Sequence, residues 1–183
     1  MFELKPGDIF ATKGTGIAGW FSRNLMLPKT DRFHYGIIWK YLDNDFLILE
    51  SLGTKGLSIG KLSWRQDEDL KYYRVKCPED LRFAAPDGLI DWGRSKYDYW
   101  LIVKVTFGAI VAWIKILFTE WKVRRLRAED LPFAHNDSLI CSEAVDVAYA
   151  TVGVNIIPLG VIPLPSAFKQ AEIDDRIYEI QVK

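Results

Sequence analysis

The chain has 183 residues, of which 49% are hydrophobic and 26% are charged. This composition is typical of a folded domain with a sizeable core, and it excludes intrinsic disorder as the default state. Lys and Arg together number 24, as do Asp and Glu, so the formal net charge is zero. Without a basic excess, nothing in the composition indicates a nucleic-acid partner.

The two cysteines, Cys77 and Cys141, are too few for a disulfide framework and favour a reducing compartment. The first residues lack a basic stretch followed by an apolar run, so we expect no signal peptide. We therefore predict a cytoplasmic or virion-associated protein, with a single domain over residues 1–183.

The first half of the chain predicts antiparallel β structure. Two β-rich runs, 34–41 and 46–50, flank a polar turn at 43–45, which is the pattern of a β-hairpin. Because the strands of such a hairpin run in opposite directions, the end of the second lies beside the start of the first. The other predicted elements of this half are a strand at 9–11, a short helix over 17–26 and a strand at 70–76.

The second half is predicted to be mainly helical. A helix opens at 78–80, is interrupted at Pro86, and is followed by a second helical piece that runs to Arg94. A further helix is predicted from Ser138 through Ala150, and a closing strand over 176–182.

Cys141 lies near the start of a predicted helix, where unpaired N–H groups and the helix dipole favour a thiolate. A thiol nucleophile also needs a nearby base, and His34 opens the first hairpin strand. The hairpin holds Glu50 near His34, where a carboxylate would orient the imidazole and stabilise its cation. Each of the three also has a structural reading: Cys141 as a packed core residue, His34 as a structural residue at a strand edge, and Glu50 as a surface acid at a strand end.

The runs His34–Ile38 and Cys141–Val145, with a Glu at the end of the strand after the first run, resemble the permuted papain-like cysteine amidases. These belong to the NlpC-type superfamily, which has lecithin–retinol acyltransferase as a relative. In the permuted members the His precedes the Cys, as it does here. Three further segments agree with the resemblance: Pro6–Ile9, Gly93–Asp98 with its Tyr-Asp pair, and Pro163–Pro165.

The resemblance implies an α+β papain-like domain, with a small antiparallel sheet packed on the helix that bears Cys141. It implies Cys141 as nucleophile, His34 as base and Glu50 as orienting group. Tyr97 is expected to line the site and to help stabilise the oxyanion. No cofactor is required, and the expected substrate is an amide of a peptide or of a peptidoglycan stem.

The resemblance does not cover Tyr99–Asn136, whose first part, Tyr99–Phe118, is long and apolar enough to cross a bilayer. A single span would place His34 and Cys141 on opposite sides of the membrane. We therefore expect the insertion at about 99–127 to be a buried or partner-docking helix, or a helix at a membrane surface. Its cationic side comprises Lys104, Lys115, Lys122, Arg124, Arg125 and Arg127.

The insertion leaves two other functions open. A lipid acyl substrate at an anionic membrane surface would make the protein a thiol acyltransferase or lipase. An oversized apolar segment is also typical of an oligomer interface, which would make the domain a non-catalytic structural or interaction module. The sequence does not indicate an oligomeric state.

Three competing patterns are weaker. Gly14–Gly19 spells GxGxxG, but Pro28 follows too soon and the next strands predict a hairpin, not a βαβ crossover. His135 could replace His34 as base, but it is predicted to lie in an exposed loop and lacks an obvious orienting acid on a strand. A zinc site would have to combine His34, Cys77, His135 and Cys141, whose spacings do not form a metal-binding pair.

Overall fold

A computed structural model describes residues 3–13, 23–24, 26–53, 55–93, 108, 111, 126–127 and 140–182. The described residues form a mixed α+β fold built on a six-stranded antiparallel sheet, which confirms the predicted fold class at this level. The strands are β1 (Ile9–Lys13), β2 (Met26–Leu27), β3 (Arg32–Leu42), β4 (Asp45–Leu52), β5 (Gly56–Lys61), β6 (Leu70–Val75), β7 (Leu126–Arg127) and β8 (Ile177–Ile180).

The sheet has the order β5-β4-β3-β1-β6-β8, while β2 and β7 form a separate parallel pair. The helices among the described residues are α1 (Glu79–Ala84), α2 (Cys141–Thr151) and α3 (Pro165–Ile173), with 3₁₀ helices at Leu62–Arg65 and Ala85–Trp92. Helix α2 packs on β3, on β4 and on the second 3₁₀ helix.

Side chains alternate between the two faces of the sheet along each strand, and buried apolar side chains lie on both faces. The larger cluster includes Ile37 and Leu49 of the sheet together with Val145 of α2 and Phe168 of α3. The smaller cluster, on the opposite face, contains Phe10, Ile38 and Ile48. The main core therefore fixes α2 against the hairpin formed by β3 and β4.

The predicted hairpin is confirmed as β3 and β4. Asp43 and Asn44 at its turn have φ values of 51° and 63°. Two central residues with positive φ are the signature of a tight turn whose twist matches that of the strands. This turn fixes the register in which Gly36 pairs with Glu50.

A buried ion pair joins β1 to β6. Both oxygens of the Asp8 carboxylate accept hydrogen bonds from Arg74, at 2.7 Å each. Asp8 is fully buried, and its Oδ2 also accepts a hydrogen bond from the backbone N–H of Lys5 at 2.8 Å. The turn that opens the domain is thus held by a bidentate, charge-assisted contact.

Other predictions need correction or lie outside the description. The helix predicted over 17–26 is wrong at its end, because Met26 belongs to β2 and is buried. The second helical piece is a 3₁₀ helix that ends at Trp92. The apolar stretch 99–118 lies outside the described residues except for 108 and 111, and no helix within the described ranges is long and apolar enough to cross a membrane.

Candidate active site

The hairpin places Glu50 beside His34. Glu50 pairs with Gly36, and His34 lies two residues earlier on β3, so all three residues share one face of the sheet. His34 Nε2 is 2.6 Å from Glu50 Oε2. The side chain of His34 is 19% exposed and that of Glu50 is 5% exposed, so their contact is largely shielded from water.

A β-bulge lies immediately before His34. Thr12 pairs with His34 and Lys13 pairs with Arg32, which leaves Phe33 without a partner in β1. The carbonyl oxygen of Phe33 lies 3.7 Å from Cys141 Sγ. Bulges redirect the side chains next to them, and this one brings the backbone of β3 to the cysteine. A bulge has no clear sequence signature, so this contact could not be predicted from the sequence.

Helix α2 presents Cys141 as its first residue. Ile140 caps the helix with an extended backbone, and its N–H donates to Glu143 Oε2 at 3.3 Å. The first N–H groups of the helix lack partners within it, and the helix dipole makes this end positive. The side chain of Cys141 thus lies where a negative sulfur is stabilised.

Cys141 and His34 interact directly and change each other's protonation. Burial alone would raise the pKa of the Cys141 thiol, but the hydrogen bond and charge of His34 outweigh burial and lower the pKa. Burial would lower the pKa of His34, but Cys141 and Glu50 outweigh it and raise the pKa to about 9. Each group therefore favours the charged form of the other, a thiolate beside an imidazolium.

Glu50 has a second cationic partner that the sequence did not indicate. Arg65 Nη2 donates to Glu50 Oε2 at 2.6 Å, and Arg65 Nη1 donates to Glu68 Oε1 at 2.6 Å. Burial would raise the pKa of Glu50, but the hydrogen bonds from His34 and Arg65 lower it below its ordinary value. Glu50 is therefore ionised and shared between two cations.

Arg65 reaches the site from the first 3₁₀ helix, Leu62–Arg65, which follows β5. Asp45 at the hairpin turn fixes this helix, because its carboxylate accepts hydrogen bonds from the hydroxyl and the N–H of Ser63. Strand β5 pairs with β4, and this pairing brings the 3₁₀ helix that follows β5 close to β4. No spacing in the sequence links residues 65 and 50, so only the fold brings them together.

Gly36 makes room beside His34 for the ring of Phe10. A Cβ on Gly36 would lie 2.4 Å from that ring, closer than any real contact. The Phe10 ring is fully buried, and its centroid is 6.3 Å from that of His34. The lack of a side chain at Gly36 thus permits an aromatic support next to the imidazole.

A cavity of about 440 Å³ adjoins Glu50 and Arg65. Two of its lining side chains are exposed and apolar, Ile59 at 55% and Trp64 at 72%. Lys55 and Lys61 also line it, and neither makes an ion pair with another described residue. The cavity therefore combines apolar surface with positive charge at the Glu50 end of the site.

The remaining candidates are Tyr97, His135, the segment 14–19 and Cys77. Tyr97, His135 and the segment 14–19 lie outside the described residues. Cys77 is a free thiol whose pKa is raised by burial, and the charged groups acting on it are Arg82 and Asp80. Within the described ranges, no group of three or more His, Cys, Asp or Glu side chains could hold a metal ion.

The described residues thus bring together Cys141, His34 and Glu50, with Arg65 added to the three that the sequence indicated. No protein-family model matches the chain, and no curated protein matches its sequence.

Proposed function

We propose that the protein is a cysteine hydrolase that cleaves an amide bond through an acyl-enzyme thioester. The observation that carries the proposal is the array of Cys141, His34 and Glu50, in which a thiol at a helix N-terminus interacts with an imidazole held by a carboxylate. This arrangement meets the general requirement for an activated nucleophile, since the base is itself oriented by a third group.

In the proposed reaction, the Cys141 thiolate attacks the amide carbonyl and forms a C–S bond. The backbone N–H of Cys141 is a natural donor to the resulting oxyanion, and Tyr97 is the second group that we propose for this role. His34 donates its proton to the leaving nitrogen, the C–N bond breaks and a thioester remains. Water then attacks the thioester while His34 accepts its proton, and the acid and the free thiolate are released.

The contact of one ring nitrogen with Glu50 supports a proposal for the path of the proton. Nε2 of His34 is engaged by Glu50 at 2.6 Å. Nδ1 is the other ring nitrogen, so it is the atom that we propose exchanges a proton with Cys141 and with the leaving group. Glu50 keeps the imidazole in this orientation throughout the cycle.

We also propose that the domain is a permuted papain-like fold. Two observations support this proposal: the nucleophilic helix packs on an antiparallel hairpin, and the base precedes the nucleophile in the chain. The resemblance of His34–Ile38 and Cys141–Val145 to the permuted cysteine amidases is the basis for the choice of an amide substrate.

A second candidate substrate is a lipid acyl ester, with the protein acting as a thiol acyltransferase or lipase. The apolar, cationic segment 99–127 favours it, since such a segment suits an anionic membrane surface. Sedimentation with vesicles of phosphatidylcholine alone or with phosphatidylserine separates the two substrates. Binding that requires phosphatidylserine and weakens with salt supports the lipid substrate, and absence of binding supports the amide.

Trapping of the acyl-enzyme tests the reaction class. The protein is mixed with p-nitrophenyl acetate, quenched in acid, digested and examined by peptide mass spectrometry. We expect one acetyl group on the peptide that contains Cys141 and a strong reduction in His34→Ala, with Cys77→Ser as a control that leaves labelling intact. Absence of acetyl at Cys141 would support a non-catalytic interaction module instead.

A further inference from the structure

Arg65 belongs to a row of side chains in which acidic and basic groups alternate. Cys141 favours its thiolate and contacts His34, which favours its cation. His34 contacts the Glu50 carboxylate, and Arg65 contacts the same oxygen of Glu50 from another direction. The poorly solvated part of this row therefore combines two acidic and two basic groups, and Glu68, the acid beyond Arg65, is 36% exposed.

Without Arg65, the remaining three groups would carry a net negative charge in a poorly solvated place. The side chains of Glu50 and Cys141 are almost fully buried, and burial of an uncompensated charge is costly. This charge is removed most simply when Glu50 or Cys141 binds a proton. A fixed cation next to Glu50 removes that need, because guanidinium does not lose its proton in proteins.

We propose that Arg65 is a positioning residue of the active site, whose charge allows Glu50 and the Cys141 thiolate to be ionised together. This inference rests on the proposed function for its relevance to catalysis. Arg65 acts through Glu50 and His34. Its guanidinium is held by Glu50 on one side and by Glu68 on the other, at 2.6 Å each.

Other ionisable groups surround this row. Lys55 and Lys61 line the cavity together with Glu50 and Arg65. Tyr35 follows His34 on β3 and is fully buried, with a pKa raised mainly by burial. Glu143 lies in the first turn of α2, where it caps the backbone of Ile140. Arg65 itself contacts the Glu50 carboxylate directly, at 2.6 Å.

Loss of charge and loss of orientation predict opposite shifts at His34. Removal of a nearby cation makes every neighbouring proton harder to remove, so the pKa values of Cys141 and His34 both rise. If Arg65 only held the shape of the site, its removal would release Glu50 from the imidazole. The pKa of His34 would then fall while that of Cys141 rose. The direction of the His34 shift therefore separates the two roles.

The experiment compares Arg65→Gln, Arg65→Lys and Glu68→Gln with the parent. The imidazole resonances are titrated by NMR, with His135→Gln used to assign the two histidines. Alkylation of Cys141 by iodoacetamide is followed over the same pH range. Thermal melting of each variant verifies that it is folded, and Arg65→Lys keeps the charge if Arg65→Gln proves unstable.

In Arg65→Gln we expect the titrations of His34 and Cys141 to move to higher pH. Alkylation of Cys141 at about pH 6.5 should then be about three- to tenfold slower, since one pKa unit corresponds to about a tenfold change in the thiolate fraction. Arg65→Lys should retain most of the parent behaviour, and Glu68→Gln, which removes a negative charge, should give no upward shift. A downward His34 shift, no shift, or an Arg65→Lys variant that behaves like Arg65→Gln would overturn the proposal. These titrations need no substrate, so failure of the parent to form an acyl-enzyme would overturn the proposed function alone.

Discussion

One carboxylate oxygen of Glu50 lies 2.6 Å from Nε2 of His34. This contact is the product of a hairpin turn with two residues at positive φ, which sets the register of β3 against β4. The contacts of His34 with Glu50 and Cys141 raise the pKa of His34 to about 9, although burial alone would lower it. The turn at one end of the hairpin thus determines the electrostatics at the other.

Replacement of Glu50 by Gln should lower the pKa of His34 from about 9 toward its ordinary value of 6.5. The amide keeps a hydrogen-bond acceptor next to Nε2 but removes the negative charge that stabilises the imidazolium. The measurement is an NMR titration of the imidazole resonances, with Glu68→Gln as the control for loss of a nearby acid that does not touch the ring. An unchanged His34 titration in Glu50→Gln would show that the carboxylate has no electrostatic part in the site.

Replacement of Gly36 by Ala should destabilise the fold by about 1–3 kcal/mol, the usual cost of overpacking a core. The new Cβ would lie 2.4 Å from the Phe10 ring and 3.0 Å from the Leu49 carbonyl oxygen. The measurement is urea unfolding. Gly60→Ala is the matched control, because a Cβ there meets its nearest neighbour at 3.4 Å. Equal stability of Gly36→Ala and the parent would contradict the described packing of Phe10 against β3.

Replacement of Asp8 by Ala should cost about 3–5 kcal/mol of unfolding free energy, because it leaves the Arg74 guanidinium half-paired in a buried place. Lys5→Gln, which removes an exposed ion pair with Glu79, is the control and should cost far less, because water screens an exposed pair. Both are measured by urea unfolding at neutral pH. Similar small losses in the two variants would show that the Asp8 pair does not hold β1 to β6.

Asp146 should make stability depend on pH between about 4 and 6. Burial raises its pKa to about 6, against a hydrogen bond from the backbone N–H of Ile157 that lowers it. A raised pKa means that the folded state binds the proton more tightly than the unfolded state does. The contribution to stability is therefore fully present below the ordinary pKa of 3.8 and is lost as pH rises through 6.

Asp146→Asn should remove this dependence, since its amide oxygen still accepts the hydrogen bond and carries no charge. Above pH 6 the variant should be more stable than the parent, by up to about 3 kcal/mol from the size of the shift. Urea unfolding at pH 4, 5, 6 and 7 measures the difference, with the exposed Asp67→Asn as control. A constant difference across this range would exclude Asp146 as the titrating group.

Local patterns predicted much of the fold. Alternating strands and the polar turn at 43–45 indicated the β3–β4 hairpin, and with it the approach of Glu50 to His34. The start of a helix near Cys141 was likewise readable from the sequence, because helix periodicity is a local property. The pairing of Cys141 with His34 was inferred from a family resemblance and not from any spacing.

The sequence did not predict contacts between residues that only the fold brings together. Arg65 contacts Glu50 because β5 pairs with β4 and is followed directly by the 3₁₀ helix that ends at Arg65. The bulge at Phe33 is a shift in register between β3 and β1. Neither feature leaves a periodic pattern in the sequence. The 3₁₀ geometry of Ala85–Trp92 was also missed, since its apolar and polar residues fit either helical type.

The most direct test of the central claim is the rate at which iodoacetamide alkylates Cys141 as a function of pH, in the parent and in His34→Ala. Peptide mass spectrometry resolves Cys141 from Cys77, whose pKa is raised by burial and which serves as an internal reference. We predict that Cys141 of the parent reacts with a midpoint well below about 8.5, the value for a free thiol, and that His34→Ala loses this advantage. A Cys141 that is as slow as Cys77 in both proteins would contradict the thiolate–imidazolium pair, and with it the proposed hydrolase.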